Sequence, residues 1–102
     1  MANVAEFQSF KLKEGLTASD FLLASDKFNY EFLSKQKGYV SYKVLSEGDT
    51  WYDLLSWESL DDIQAAAEAY KMYEAKTDKH YISLIDEKSQ SKLLQLRVEK
   101  DY

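Results

Sequence analysis

Two acidic residues on predicted neighbouring strands could do acid–base chemistry together. Glu6 lies in the first predicted strand and Asp53 in the third. If both strands belong to one sheet, the two carboxyls share a face. A covered cavity would raise the pKa of one of them toward the range of a general base. Arg97 and Lys43 fall on the same predicted face, so a salt-bridge network that holds a dimer together is the alternative.

His80 is the third catalytic candidate and the only histidine of the chain. Its unperturbed pKa of about 6.5 suits proton shuttling, and its ring could ligate haem. An ordinary surface or capping residue near the start of a helix is the alternative. The sequence has no second histidine and no cysteine, so it offers no transition-metal ligand set.

Six further side chains are candidates for binding a small molecule. Asn29 interrupts the apolar stripe of a predicted helix, where a buried amide must bond either to a ligand or to the backbone. Trp57 could form one wall of a site for a planar molecule, or it could pack in the core. The remaining candidates stand on predicted strands: Tyr42, Arg97, Phe10 and Leu55.

The first half of the chain contains the elements that position most of these residues. Residues 4–12 alternate polar and β-forming residues and predict a strand. Thr17 and Asp20 form a capping-box pattern, which predicts a helix that runs to Gly38. Residues 39–46 and 50–57 predict a β-hairpin around Glu47-Gly48-Asp49.

The second half repeats the pattern of a helix followed by a strand. Ser59 and Asp62 predict the start of a second amphipathic helix. Thr77 could cap a shorter helix. Residues 92–99 alternate and predict a last strand. The predicted inward residues are Ile63, Ala66, Ala67, Tyr70 and Tyr73 of the long helix, and Tyr81, Leu84 and Ile85 of the short one.

The element order β-α-β-β-α-β predicts a ferredoxin-like α+β fold. In it, four antiparallel strands form one sheet in the order 4-1-3-2, with both helices on one face. The 102 residues fit one domain, residues 1–102, and we see no repeat or linker.

Alternation along the strands also predicts which residues face the helices. We expect an apolar set under the helices: Phe7, Val40, Tyr42, Val44, Leu54, Leu94, Leu96 and Val98. A mixed set should form the other face: Glu6, Gln8, Phe10, Ser41, Lys43, Asp53, Leu55, Trp57, Gln95, Arg97 and Glu99. Large apolar residues on that second face predict a cover, and a second copy of the sheet is the simplest one.

Composition excludes several classes of partner. A net charge of −5 with scattered basic residues disfavours nucleic acid. No apolar run approaches the roughly 20 residues of a membrane span, and the N-terminus lacks the features of a signal peptide. We therefore expect a cytoplasmic protein without a membrane partner.

Four stretches resemble one known family: VAEFQSFKLKEG, FLSKQKGYVSYKVL, WYDLLSWES and AAAEAY. They look like the antibiotic-biosynthesis-monooxygenase-like family of the dimeric α/β-barrel superfamily. The resemblance implies a homodimer with a cavity between sheet and helices. Some members oxidise aromatic substrates without metal or flavin, because the substrate itself activates oxygen while Asn, Trp and Tyr or Arg side chains position it.

The resemblance therefore predicts a monooxygenase-like homodimer, a cofactor-independent oxygenase that acts on a small aromatic or apolar molecule. A non-catalytic dimer that binds a small ligand is the alternative from another class. A haem-binding or haem-degrading protein is the third possibility. That branch has an Asn in the first strand, where this sequence reads AEFQ, and a His after the second helix, where His80 stands.

Overall fold

A computed structural model describes residues 3–76 and 80–102, except for the side chains of residues 75, 76 and 80. The described part contains five strands and three α-helices. They are β1 (Val4–Leu12), α1 (Ala18–Glu31), β2 (Tyr39–Glu47), β3 (Thr50–Trp57), α2 (Leu60–Lys76), α3 (His80–Ser83), β4 (Ile85–Asp86) and β5 (Leu94–Arg97).

The strands form one antiparallel sheet that confirms the predicted fold. β3 lies between β2 and β1, and the free edge of β1 is shared by two short strands. β5 pairs with Val4–Phe7 of β1, while β4 pairs with Lys11 and Leu12. The order of the four long strands is as predicted. β4 was not predicted, because a two-residue strand is too short to show alternation.

Both long helices begin where the sequence predicts. The backbone amide of Asp20 donates to Thr17 Oγ1 over 3.2 Å, and the Thr17 amide donates back to Asp20 Oδ2 over 2.9 Å. Before α2, the Asp62 amide donates to Ser59 Oγ over 3.2 Å. These side chains satisfy amides that the first helical turn leaves without partners. The predicted cap at Thr77 lies outside the described residues.

The first helix ends earlier than predicted. It stops at Glu31 rather than at Gly38, and a single 3₁₀ turn follows over Leu33–Lys35. Phe32 leaves the helical conformation, which allows both Phe32 and Leu33 to be buried. Adjacent residues of a continuous helix point about 100° apart, so the break is what directs both side chains into the core.

The prediction of which sheet face the helices cover is wrong for most of the strands. Opposite residues of antiparallel strands share a face, and Phe10 and Trp57, each 1% exposed, pack in the core beneath the helices. The mixed set therefore faces the helices through Glu6, Gln8, Phe10, Asp53, Leu55 and Trp57.

The opposite, open face carries most of the residues that were expected to be buried. Phe7 and Leu54 lie there with Leu94 and Leu96 of the edge strand. The register between β2 and β3 shifts between Tyr39 and Ser41. Beyond this shift, Tyr42 and Val44 lie on the helix side of the sheet and Lys43 lies on the open side. Alternation shows which residues share a face, but it does not show which face the helices cover.

Two buried clusters hold the helices on the sheet. One joins Phe10 and Ile85 of the strands to Phe21 of α1. The other joins Trp57 to Phe32 and to Ile63 of α2. Between the clusters, the rings of Phe28 and Tyr81 stack with centroids 4.8 Å apart. Within the described residues, no helix is long and apolar enough to cross a membrane, and the cytoplasmic location stays a prediction.

Candidate active site

A cavity of about 250 Å³ lies between the helix side of the sheet and the three helices. We call it the interior cavity. It is slightly smaller than the roughly 300 Å³ at which sites for drug-sized ligands begin, so it suits a small molecule. Most of its wall is apolar or aromatic, and examples from the surrounding elements are Phe28, Leu55, Trp57, Ile63, Tyr70 and Tyr81.

Glu6 is the acidic residue on the described wall of the interior cavity. It stands in the middle of β1 opposite Leu55, and Trp57 Nε1 donates a 2.8 Å hydrogen bond to Glu6 Oε1. Burial raises the pKa of the Glu6 carboxyl, while the hydrogen bond from Trp57 acts in the opposite direction. A raised pKa makes the carboxylate a stronger base than one in water.

Gln8 is the next residue of β1 on the same wall. Its Nε2 donates over 3.0 Å to the backbone carbonyl of Ser91, which fixes the direction of the amide. Gln8 also stands opposite Asp53 in the β1–β3 ladder. The amide therefore presents a neutral polar group beside the carboxylate of Glu6.

Asp53 belongs to a hydrogen-bonded network of three side chains beside the cavity. Tyr42 OH donates to Asp53 Oδ1 over 2.9 Å, Tyr81 OH donates to Asp53 Oδ2, and the two hydroxyls are 3.1 Å apart. Burial raises the pKa of Asp53 to about 6, against the opposing effect of the bonds from Tyr81 and Tyr42. Burial and the neighbouring carboxylate raise the pKa of both tyrosine hydroxyls.

The network ties three separate elements together. Tyr42 comes from β2, Asp53 from β3 and Tyr81 from α3. Tyr81 lines the interior cavity, whereas the described lining does not include Asp53. Asp53 therefore acts on the cavity through Tyr81, by fixing the hydroxyl end of a side chain that forms part of the wall.

Glu6 and Asp53 share a face on neighbouring strands, as predicted, but they do not bond to each other. Each has its own donors, and the raised pKa of Glu6 comes from burial. Arg97 is far more exposed and donates from Nε to Glu99 Oε1 over 2.8 Å. The ion pairs within the described part of this chain do not join either carboxylate to Arg97 or Lys43, and a salt-bridge network across a dimer stays a prediction.

The structure distributes the predicted ligand-binding residues over several places. Leu55 and Trp57 line the interior cavity, and Phe10 is packed in the core against Phe21. Asn29 Oδ1 accepts a 2.8 Å hydrogen bond from the hydroxyl of Tyr39.

A second, more polar cavity of about 240 Å³ between α1 and β2 is lined in part by Asn29 and Tyr42. It is separate from the interior cavity, so these two candidates are not brought together with Glu6. The side chain of His80, the third catalytic candidate, lies outside the described residues.

Sequence reasoning missed the contribution of Phe28, Tyr70 and Tyr81 to the cavity wall. Tyr70 and Tyr81 were expected to face inward, and their helical spacing carries that signal. The pattern of an inward aromatic residue is the same in a filled core and beside a cavity. The distinction depends on how far the helices stand from the sheet, which the pattern does not contain.

Solved structures of monooxygenase-like proteins share this fold. SnoaB, a cofactor-independent oxygenase from Streptomyces nogalater, has a TM-score of 0.73 and 15% identity, and the match covers 99% of this chain and 97% of SnoaB. A monooxygenase from the gene ActVA-Orf6 of Streptomyces coelicolor, in complex with nanaomycin D, has a TM-score of 0.74 and 10% identity, with 99% and 91% covered.

A haem-degrader has the same fold. MhuD from Mycobacterium tuberculosis, with two haems bound in its active site, has a TM-score of 0.67 and 17% identity, and the match covers 97% of this chain and 98% of MhuD. No protein-family model matches the sequence, and no curated protein matches it. At these identities the likeness shows the fold, and it agrees with the antibiotic-biosynthesis-monooxygenase-like resemblance predicted from the sequence.

Proposed function

We propose that this protein is a monooxygenase-like enzyme that oxidises a small aromatic molecule without a bound cofactor. The observation that carries the proposal is the Glu6 carboxylate, half-buried on the wall of an otherwise mostly apolar cavity. The shared fold with SnoaB, a cofactor-independent oxygenase, supports the reaction class.

Glu6 supplies the base in this proposal. It removes a proton from an activated methylene or hydroxyl group of the substrate, and the resulting electron-rich anion reduces oxygen directly. For a methylene substrate the balance is R₂CH₂ + O₂ → R₂C=O + H₂O. One oxygen atom forms the new C=O bond, the other leaves as water, and both C–H bonds break. All four electrons come from the substrate.

The apolar wall contributes by excluding water around the carboxylate. A carboxylate in such surroundings interacts more strongly with a nearby proton donor than it would in water. Trp57 holds the Glu6 carboxylate in one direction through its indole N–H. Asp53, held between two tyrosines, positions the wall rather than acting as the base.

The proposed active form is a homodimer in which the open sheet faces of two copies meet. The stacked rings of Phe7 and Tyr52, 5.6 Å apart, lie on that face. Leu94 and Leu96 of β5 extend the apolar surface and are 41% and 47% exposed. A second copy would cover them, as the resemblance to dimeric α/β barrels implies.

Oxygen uptake in metal-free buffer tests the proposed reaction. The substrates are hydroquinones and anthrone, an aromatic ketone with an acidic methylene group. We compare the wild type with Glu6→Gln and with Glu58→Gln, a matched change at an exposed position next to Trp57. The wild type and Glu58→Gln should consume oxygen, and Glu6→Gln should be at least tenfold slower. Equal rates for all three proteins would contradict the role of Glu6.

A non-catalytic ligand-binding protein and a haem-binding protein would each give a different result with the same purified protein. A ligand-binding protein without activity would show a ligand-induced rise in melting temperature and no oxygen uptake across the panel. A haem-binding protein, the function suggested by the fold of MhuD, would shift the Soret band of haem, and His80→Ala should abolish that shift.

Sedimentation equilibrium tests the homodimer. We expect a dimer at micromolar concentration, and Leu96→Lys should weaken it because the charge would be buried against the second sheet. Leu23→Lys is the control, since Leu23 on α1 is already 71% exposed. A monomeric wild type would contradict the proposed assembly, and oxygen uptake by that monomer would show that the reaction does not need the dimer.

A further inference from the structure

The charge of the interior cavity is one-sided. Among the lining residues that the structure describes, Glu6 is the ionisable carboxyl, and neither lysine nor arginine is present. The tyrosine hydroxyls on the wall stay neutral at ordinary pH, because burial raises the pKa of Tyr70 to about 12 and raises the pKa of Tyr81 as well. A molecule that enters the cavity therefore meets a negative charge, and no positively charged side chain is present among the described lining residues.

The Glu6 carboxylate also has hydrogen-bonding capacity left over. A carboxylate has two acceptor oxygens with about four lone-pair sites. Trp57 Nε1 uses one site on Oε1, and it is the donor to Glu6 within the described part of the chain. The nearest residue of the same strand on that wall, Gln8, directs its amide N–H to the Ser91 carbonyl. A ligand with a hydroxyl group would therefore complete the bonding of Glu6.

We infer that Glu6 determines specificity by ligand charge: the cavity accepts neutral aromatic molecules that donate a hydrogen bond, and it rejects aromatic carboxylates of the same shape. The inference deepens the proposed small-molecule site and names the class of ligand that it takes. It depends on binding and not on turnover.

Electrostatics determines the direction of this preference. A hydroxyl group can donate to the carboxylate, and a hydrogen bond to a charged group is about twice as strong as a neutral one. A ligand carboxylate would place a second negative charge beside the first, where little water screens them. We therefore expect at least a tenfold difference in affinity between two such ligands.

Isothermal titration calorimetry with 2-naphthol and 2-naphthoate measures the preference. The two bicyclic probes are similar in shape, and at pH 8 the naphthol is mostly neutral while the naphthoate is an anion. Wild-type protein should bind 2-naphthol at least tenfold more tightly. In Glu6→Gln the ratio of the two dissociation constants should fall below about threefold, and Glu58→Gln should keep the wild-type ratio.

Equal binding of both probes by the wild type, tighter binding of 2-naphthoate, or binding of neither probe would overturn the inference. So would a folded Glu6→Gln protein that keeps the full preference. These outcomes are independent of the proposed reaction, which oxygen uptake measures. A protein that prefers 2-naphthol but consumes no oxygen would retain the specificity and lose the oxygenase proposal.

Discussion

Replacement of Asp53 by asparagine should make the stability of the protein less dependent on pH. Asp53 is a largely buried carboxyl whose pKa is raised from an ordinary value of 3.8 to about 6 by burial. Asparagine has nearly the same shape and does not ionise. It keeps one oxygen to accept a hydrogen bond from Tyr42 or Tyr81.

The sign follows from proton binding. Between pH 4 and pH 6, the folded state holds the Asp53 proton more tightly than the unfolded state does, so stability falls as the pH rises through this window. One pKa unit is worth about 1.4 kcal/mol. From pH 4 to pH 8, the free energy of unfolding of the wild type should fall by roughly 2 to 3 kcal/mol more than that of Asp53→Asn.

Urea unfolding followed by tryptophan fluorescence at fixed protein concentration measures this difference. Fixed concentration is necessary because a dimer would link stability to concentration. The comparison of two pH values cancels any effect of the amide that does not depend on pH. Asp49→Asn is the matched control, because Asp49 lies in the hairpin turn with an 82% exposed side chain.

Parallel pH profiles for the wild type and Asp53→Asn would refute the reasoning. They would show that the Asp53 carboxyl, in its network with Tyr42 and Tyr81, is not buried in a way that raises its pKa. A wild type that became more stable relative to Asp53→Asn between pH 4 and pH 6 would refute it as well. That sign would mean that the two tyrosine bonds outweigh burial.

Three further substitutions test the local structure by urea unfolding. Gly38→Ala should lower the free energy of unfolding by about 2 to 3 kcal/mol. Gly38 has a φ of 82°, and a Cβ there would lie 2.3 Å from Asp62 Cγ, so the Asp62 side chain would be displaced from the helix cap. Gly48→Ala, with a φ of 61° and no atom within 4 Å of the new Cβ, should cost only about 1 kcal/mol, and equal losses would contradict the contact with Asp62. Thr17→Ala should lose about 1 kcal/mol through its bond to Asp20, and an unchanged stability would show that the capping box is not needed.

The fold could be predicted from the sequence because its signals are local. The capping pairs at Thr17 and Ser59 determine where two helices begin, and the turn at Gly48 determines the hairpin register. The end of α1 is set by tertiary packing, since the chain leaves the helix to bury Phe32 and Leu33. Such an end has no local signal.

The site could be predicted only in part. The sequence places Glu6 and Asp53 on one face, and the structure confirms this. Whether that face is covered by helices depends on total apolar burial, which favours the side with Phe10 and Trp57. The hydroxyl of Tyr81 reaches Asp53 from a residue 28 positions away, and alternation contains no information about such a contact.

Hydrogen–deuterium exchange of anthrone in the absence of oxygen tests the central claim most directly. The claim is that Glu6 in the interior cavity removes a proton from an aromatic substrate. In deuterated buffer without oxygen, the methylene group can exchange but cannot be oxidised, and mass spectrometry measures the exchange. We predict that the wild type and Glu58→Gln accelerate exchange at least tenfold over Glu6→Gln. Exchange at the same rate with Glu6→Gln, or no acceleration by the wild type, would contradict the claim.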